Sequence, residues 1–584
     1  MALARLRSGV PAIGTPRRVA LFPLITTMVV ALLVGGPLIF MLVSSVRGPL
    51  STLPFSPSAV TTIDNYRAVF NRQLVDSLRD TAIFIGGSLT IALGLGVPLA
   101  WLLERSDIPA RRLLSVLMFA PLLIPPITGA QIWSLLLGEN RGILNRLIRI
   151  VLPMDVGPFS TTSASGIVFA QGMTLVPLVT LFLGTSFRNI DSTLEEASRM
   201  SGASGLQTFR RVTLKLVFPA VASVALLMSV TLLGAFEIPL VFGLGEGLTP
   251  IGVRIYTMLN PAASVPLYGQ IAAYSALVTL VSFSLILVYG RLTRSAARFA
   301  TVTGKGHRGA VNHLGRWRWP AFAVVAGFLV LTVGLRVFVL FWQSFVPNVG
   351  QISLAELRSA GNLEAYRSVL GDSAFWGSVR LTLVVAVLSA LVTTVVPMAM
   401  AWVVVRHRGR RTSTAALDLL ASTSLGIPSP VAAFAFLVMF LSINKWVPVY
   451  GTVAALTFAY CFRIGFSYRF GSAAIVQISE DLEEASAMSG AGPLMTFRRV
   501  LLPLLSPTVV FLFLLQMVTA IHEFSVPLFV RSVGDKPISI YAFNEMGAQR
   551  PTNAAAVGVL TLVAVLIVAG LAGAVSSRLR PRTS

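Results

Sequence analysis

The chain has 584 residues, 55% hydrophobic and only 12% charged, with a mean hydropathy of +0.80. That is more apolar surface than a water-soluble core can cover, so the composition excludes an ordinary soluble domain and requires a bilayer. A net charge of +23 suggests nucleic acid, but the basic residues lie in short clusters between apolar runs. No nucleic-acid partner is therefore expected, and the charge reads as membrane topology, with lipid around the chain.

A basic tail (Arg5, Arg7, Arg17, Arg18) leads into an apolar run over 19–46. This run exceeds the roughly 7–15 residues of a signal-peptide core, and predicts an uncleaved first helix. Crossing about 30 Å of hydrocarbon at 1.5 Å per residue takes roughly 20 apolar residues. By that rule, further spans fall near 79–103, 113–137, 163–187, 214–240 and 268–291, then near 320–346, 379–405, 415–441, 449–470, 503–530 and 554–577. Unpaired backbone groups are too costly in lipid for coil or open sheet, so all of about twelve spans are predicted to be helices: an all-α integral membrane fold.

The distribution of Lys and Arg tests this count, because they stay on the cytoplasmic side. With both termini cytoplasmic, the inner segments are the N-tail, 105–112, 188–215, 291–318, 406–411, the loop after Arg463, and the tail with Arg578, Arg580 and Arg582. These hold about 30 of the 46 basic residues. The single cysteine, Cys461, lies in an apolar run and offers neither a disulfide nor a thiol pair for redox or zinc chemistry.

The chain also repeats. Ala100-Trp101 returns as Ala401-Trp402, Ile124-Pro125 as Ile427-Pro428, and Glu196-Ala197-Ser198 as Glu484-Ala485-Ser486. The offset falls from 301 and 303 to 288, which gives the first half an extra outside loop at 138–160. Six helices per half make the repeat parallel rather than inverted. The expected organisation is an N-tail (1–18), a first repeat (19–291), a basic linker (292–319), a second repeat (320–577) and a short tail (578–584), with the two termini and the linker in the cytoplasm.

Two cytoplasmic loops carry the strongest signal. Residues 194–214 read Leu-Glu-Glu-Ala-Ser-Arg-Met-Ser-Gly-Ala-Ser-Gly-Leu-Gln-Thr-Phe-Arg-Arg-Val-Thr-Leu. Residues 482–502 read Leu-Glu-Glu-Ala-Ser-Ala-Met-Ser-Gly-Ala-Gly-Pro-Leu-Met-Thr-Phe-Arg-Arg-Val-Leu-Leu. Each has a helix-favouring acidic start, a glycine (Gly202, Gly490) that permits a tight turn, and a short amphipathic stretch with Phe209 or Phe497 on one face. A helix-turn-helix at the membrane surface is predicted, suited to passing motion to a protein docked below.

This spacing resembles the EAA loop of binding-protein-dependent ABC importer permeases. The second copy matches at Glu484, Ala485, Ser486, Gly490, Ala491, Phe497, Val500, Leu502, Pro503 and Pro507. The first matches at Glu196, Ala197, Ser198, Gly202, Ala203, Phe209, Val212, Leu214 and Pro219, with Lys215 where the family has proline. The loops thus extend over 194–219 and 482–507. The resemblance covers nearly the whole chain and is strongest to fused permeases of the iron(III) importer type, through 101–112, 121–126, Gly142-Ile-Leu-Asn145 and Phe236-Glu-Ile-Pro239.

The resemblance implies two parallel six-helix repeats of the type I ABC importer kind, in a bacterial cytoplasmic membrane. It implies two copies of an ABC ATPase subunit, docking at Glu196, Ala197, Gly202 and Phe209 and at Glu484, Ala485, Gly490 and Phe497. It also implies an extracytoplasmic solute-binding protein, periplasmic or lipid-anchored. ATP would be used by the partner subunits, with no cofactor on this chain and no catalysis by it. The implied solute is ferric iron, with thiamine, 2-aminoethylphosphonate or polyamine sharing the same frame.

Glu237 and Glu523 are expected at equivalent places near the outer ends of the fifth and eleventh spans, each before a proline (Pro239, Pro527). An ionisable group at membrane depth is a functional-site hypothesis, because burying it unpaired is costly. The pair is expected to line the translocation path and favour a cationic or metal-bound solute; the alternative pairs them with arginines such as Arg254 and Arg531, or leaves them in interfacial water. His522 reads as a solvated interfacial histidine, since His307, His313 and His407 lie in basic stretches and no metal cage is spaced out. Arg336 reads as snorkelling or paired, and Pro125-Pro126 and Pro428/Pro430 as kinks in helices three and nine. Gly304-Lys305-Gly306 lacks the flanking pattern that cradles phosphate. An ion-coupled secondary carrier of twelve helices is the rival class; it needs no docking loop in each half. A membrane-embedded enzyme lacks any catalytic cluster.

Overall fold

The computed structural model describes residues 25–579 except 49–52, 140–141, 152–157, 243–246, 262–264, 299–311, 347–360, 407–410, 531–533 and 535. The expected tail 1–18, the middle of the linker, the last residues of the C-tail, parts of the extra loop 138–160, and His307, His407, Lys305 and Arg531 lie outside the described residues.

Among the described residues, nine helices are long and apolar enough to cross a bilayer: Ile25–Ser45, Arg72–Arg105, Ala164–Arg188, Phe209–Gly234, Tyr268–Arg291, Gly315–Phe345, Ser373–Arg406, Phe497–Phe529 and Pro551–Leu571. Two bent pairs raise the number to eleven. Arg111–Leu123 meets Pro126–Leu137 at 98°, and Leu417–Gly426 meets Ser429–Ile443 at 113°. The prolines expected to kink helices three and nine break them instead, because each removes a backbone donor and bars the residue before it from helical torsions. The tenth expected span consists of two short helices, Val453–Tyr460 and Gly465–Val476, parted by Cys461–Ile464. Strand structure among the described residues is limited to the pair Arg47–Gly48 and Val60–Thr61.

The helices pack through small residues, as lipid-embedded helices do when backbones approach closely. A Cβ added at Gly87 or Gly96 of the second span would come within 2.6 Å of Val168 or Val179 of the fourth. The repeat extends to single hydrogen bonds. Ser45 bonds the Tyr66 hydroxyl at 2.8 Å and Ser344 the Tyr366 hydroxyl at 2.8 Å. The N–H of Ile251 donates to Thr81 and that of Ile538 to Thr382.

The first helix of each half leans on the other half. Ile25–Ser45 lies along Ser429–Ile443, and Gly315–Phe345 lies along Pro126–Leu137. Accordingly, one buried core joins Val30, Leu33 and Met41 to Val431, Phe434 and Leu437, and a second joins Val325, Val339 and Leu340 to Ile132 and Trp133. The halves are interlocked by their cores.

Candidate functional sites: the paired loops and the central cavity

The two loops adopt one structure twice. Helices Ser192–Met200 and Asp481–Met488 end at Gly202 and Gly490, whose φ values of +83° and +78° lie where a side chain is strained. Each chain then turns through a widened π segment, Phe209–Thr213 or Phe497–Leu501, into the next span. The π segment runs without a break into Leu502–Ile521, which carries Pro503, and in the first half into Leu214–Gly234, which carries Lys215, so the lysine leaves the local path unchanged.

Two consecutive glutamates in each loop face opposite ways. Glu195 is buried and accepts from Arg105 at 2.7 Å and from Thr213 at 2.7 Å. Glu483 accepts from Arg406 at 2.6 Å and from the Trp402 indole at 3.3 Å. Arg105 and Arg406 are the last residues of Arg72–Arg105 and Ser373–Arg406, so each loop is bolted to the end of its own second helix. Glu196 and Glu484, with Ala197 and Ala485, are exposed, and Met200 and Met488 are each 90% exposed. Phe209 and Phe497 turn inward onto Trp101 and Trp402, with ring centroids 5.3 Å apart in both cases. Phe209 and Phe497 therefore hold the loop in place while Glu196 and Glu484 face outward.

At the far end of the spans that follow the loops, Glu237 and Glu523 line one cavity of about 530 Å³ between the halves. Their surroundings differ. Glu237 opens the short helix Glu237–Phe242, and its carboxylate accepts from the Phe236 N–H at 3.2 Å. Glu523 accepts from the Val526 N–H at 3.1 Å and pairs with Arg463 at 3.1 Å. Arg463 lies in the break of the tenth span, and its side chain, 44% exposed, opens onto the cavity. Tyr460, Gln516, Ser429, Ser424, Thr231 and Thr519 add to the polar lining. Above the carboxylates, Phe236 stacks on Phe524 at 5.8 Å and Phe529 closes edge-on, all three buried.

Several expectations change here. Glu237 and Glu523 do not occupy the same register: the stacked Phe236 and Phe524 do, so Glu237 follows its ring and Glu523 precedes its own. Glu523 pairs with an arginine as the alternative had it, but with Arg463; Arg254 binds Gln73, and Arg531 lies outside the described residues. Arg463 lines the cavity from the break, and the expected loop after it begins only past Val476, because the chain is helical again from Gly465 to Val476. The His522 Nε2 is enclosed, with no hydrogen-bond partner among the described residues, rather than solvated. Arg336 neither snorkels nor forms an ion pair among the described residues. It is 2% exposed and lies over the Trp133 ring at 5.4 Å, in space left by Gly129.

Residues 92–298 and 393–581 each match the family described as binding-protein-dependent transport system inner membrane component. The chain belongs to this family, as a fusion of two permease halves. The permease is 27% identical over 486 residues to a probable ABC transporter permease of Sinorhizobium fredii, covering 80% of this chain and 81% of that one. It is 25% identical to a ferric transport system permease of Actinobacillus pleuropneumoniae over 69% of this chain, and spans 57% of that relative's length. It is 28% identical to a spermidine/putrescine transport system permease of Escherichia coli over 40% of this chain and 84% of that one. Membership in this family sets aside the ion-coupled carrier and makes the chain a membrane transport subunit.

Sequence reasoning missed Arg463, Arg105, Arg406 and the Phe236–Phe524 stack. A signal for the two anchoring arginines was present: Trp101 to Arg105 recurs as Trp402 to Arg406, and Glu195 recurs as Glu483. For Arg463 the signal was an arginine inside an apolar run.

Proposed function

We propose that the permease forms the translocation path of an ATP-driven importer, with one ATPase subunit seated under each loop on the cytoplasmic face and a solute-binding protein on the other. The repeats 19–291 and 320–577, joined by the linker 292–319, would make the two halves of the path, with both termini inside a bacterial cytoplasmic membrane. The observation that carries this reading is the paired glutamates: the inward one fixes the loop to helix two, and the outward one is free to meet a basic group on a partner. ATP is used by the partner subunits, and this chain transmits their closure. Because each loop is bolted to a spanning helix, displacement below rocks the helices and widens the cavity past its aromatic seal.

The proposed solute is ferric iron. Two carboxylates against one guanidinium leave the cavity with an acidic balance, which favours a cation, and the likeness to a ferric transport permease supports the same choice. Arg463 supports a second reading, a solute carrying an anionic group as well, of which 2-aminoethylphosphonate is an example. Reconstitution with the ATPase and binding protein separates them. Ferric ion should stimulate ATP hydrolysis; stimulation by the phosphonate, thiamine or a polyamine and not by ferric ion would overturn the iron assignment.

A further inference from the structure

The two loops differ in the last turn of the helix that bears the outward glutamate: Arg199 in the first, Ala487 in the second. Arg199 follows Glu196 by three residues, so the two share a helix face. Its guanidinium donates to the Asn312 side-chain carbonyl, in the segment that leads from the linker into the seventh span. That segment is fastened along the whole turn after helix two. The N–H of Asn312 donates to the Arg105 carbonyl at 2.8 Å, and Ser106 and Asn312 pair as a parallel bridge. The N–H of Leu314 donates to the Asp107 carboxylate at 2.8 Å, and the His313 ring meets the same carboxylate at 3.2 Å. Leu314 also packs on the first half's core.

Among the described residues, the corresponding place at the second loop is a groove of about 300 Å³. Arg406, Glu480, Glu483, Glu484 and Ala487 line it. The two loops therefore present unlike surfaces. Among the described residues, one is a groove walled by Glu480, Glu483, Glu484 and Arg406; the other is crossed by residues 312–314, with Arg199 engaged and the His313 side chain 85% exposed.

We propose that residues 312–314 are part of the first ATPase seat. The partner docked at Glu196 rests on a composite surface built from the first half's loop and the end of the linker that opens the second half, whereas its twin at Glu484 meets Ala487 where the first meets Arg199. Two copies of one ATPase then meet non-identical sites. The first copy also pushes directly on the start of the seventh span, through Asn312 and Leu314, and so reaches both halves at once. This inference rests on the docking role proposed for the loops.

Photocrosslinking tests it in the reconstituted complex with the ATPase. Cysteines are introduced singly by Met200→Cys, Met488→Cys and His313→Cys and labelled with benzophenone maleimide; the native Cys461 is only 2% exposed and stays unlabelled. All three should crosslink to the ATPase on irradiation, and adding Asp107→Ala with Arg199→Ala should lower the His313→Cys yield at least tenfold while the Met200→Cys yield holds. Failure at both Met200→Cys and Met488→Cys would overturn the docking role and the composite seat with it. Crosslinking at Met200→Cys without His313→Cys would overturn the composite seat alone, as would a His313→Cys yield unchanged by the double substitution.

Discussion

Glu195 and Glu483 are held by arginines inside the chain, while Glu196 and Glu484, one residue later, are exposed. The sequence prints the two glutamates side by side and gives them no ranking; the fold distinguishes them, since successive helix positions lie 100° apart. The buried pair is the more costly to disturb. Arg105→Ala leaves the Glu195 charge enclosed without its partner and should destabilise the permease by about 3–5 kcal/mol, whereas Glu196→Ala should change stability by less than about 0.5 kcal/mol. Thermal unfolding of the purified variants measures the contrast. In the cavity, Glu237→Gln with Glu523→Gln should lower uptake by about tenfold, the equivalent of about 1.4 kcal/mol, with ATPase attachment intact; unchanged uptake would remove both residues from the path. Asp107 gives a pH dependence. The Leu314 N–H, and after it His313, hold its carboxyl below the usual value. A depressed carboxyl contributes stability above its unfolded pKa of about 3.9 and loses it as pH falls through the lower folded value. The hold of the Asp107 carboxylate on the Leu314 N–H should therefore persist from pH 8 to pH 5 and weaken only below about pH 4, as followed by crosslinking from His313→Cys, where the imidazole no longer contributes.

The spans and loops were legible as elements because each rests on a local rule: some twenty apolar residues for a crossing, and a glycine six residues past the outward glutamate for the turn. Gly202 and Gly490 lie at positive φ with open space where a Cβ would go, so the constraint there is the backbone alone. Gly202→Ala or Gly490→Ala should cost about 1–2 kcal/mol in its loop and weaken ATPase binding, without disturbing the spans; a pull-down with the ATPase measures it. What the sequence could not supply was how elements break in response to neighbours. The tenth span parts just before Gly465, where the second half's third helix comes so close that a Cβ would stand 2.5 Å from the Ala421 carbonyl. Ser424 then takes the Gly465 N–H, and Gln516 donates to the Arg463 carbonyl. Its counterpart, Ala164–Arg188, runs unbroken and carries leucine, Leu175, where the second half has Arg463. No periodicity in 449–470 announces this, since the cause lies on other helices.

Across the whole molecule, the repeat was legible from recurring dipeptides, but the interlocking of the halves was not. Helices one and seven each cover the other half, so the two cores are shared, and a helix that reads as apolar all round carries no label naming its neighbour. The linker was equally silent: the change from Arg199 to Ala487, one of several differences between the loops, carried no sign of what Arg199 holds. Among the described residues, the outcome is a near-symmetric frame with asymmetric contents, having one arginine in the cavity and one loop crossed by the linker. Its central claim is that a single chain carries both ATPase seats. The mass of the purified complex tests this most directly: the account predicts two ATPase subunits on each 62.4 kDa permease chain, and a complex holding one ATPase per chain, or none, would contradict it.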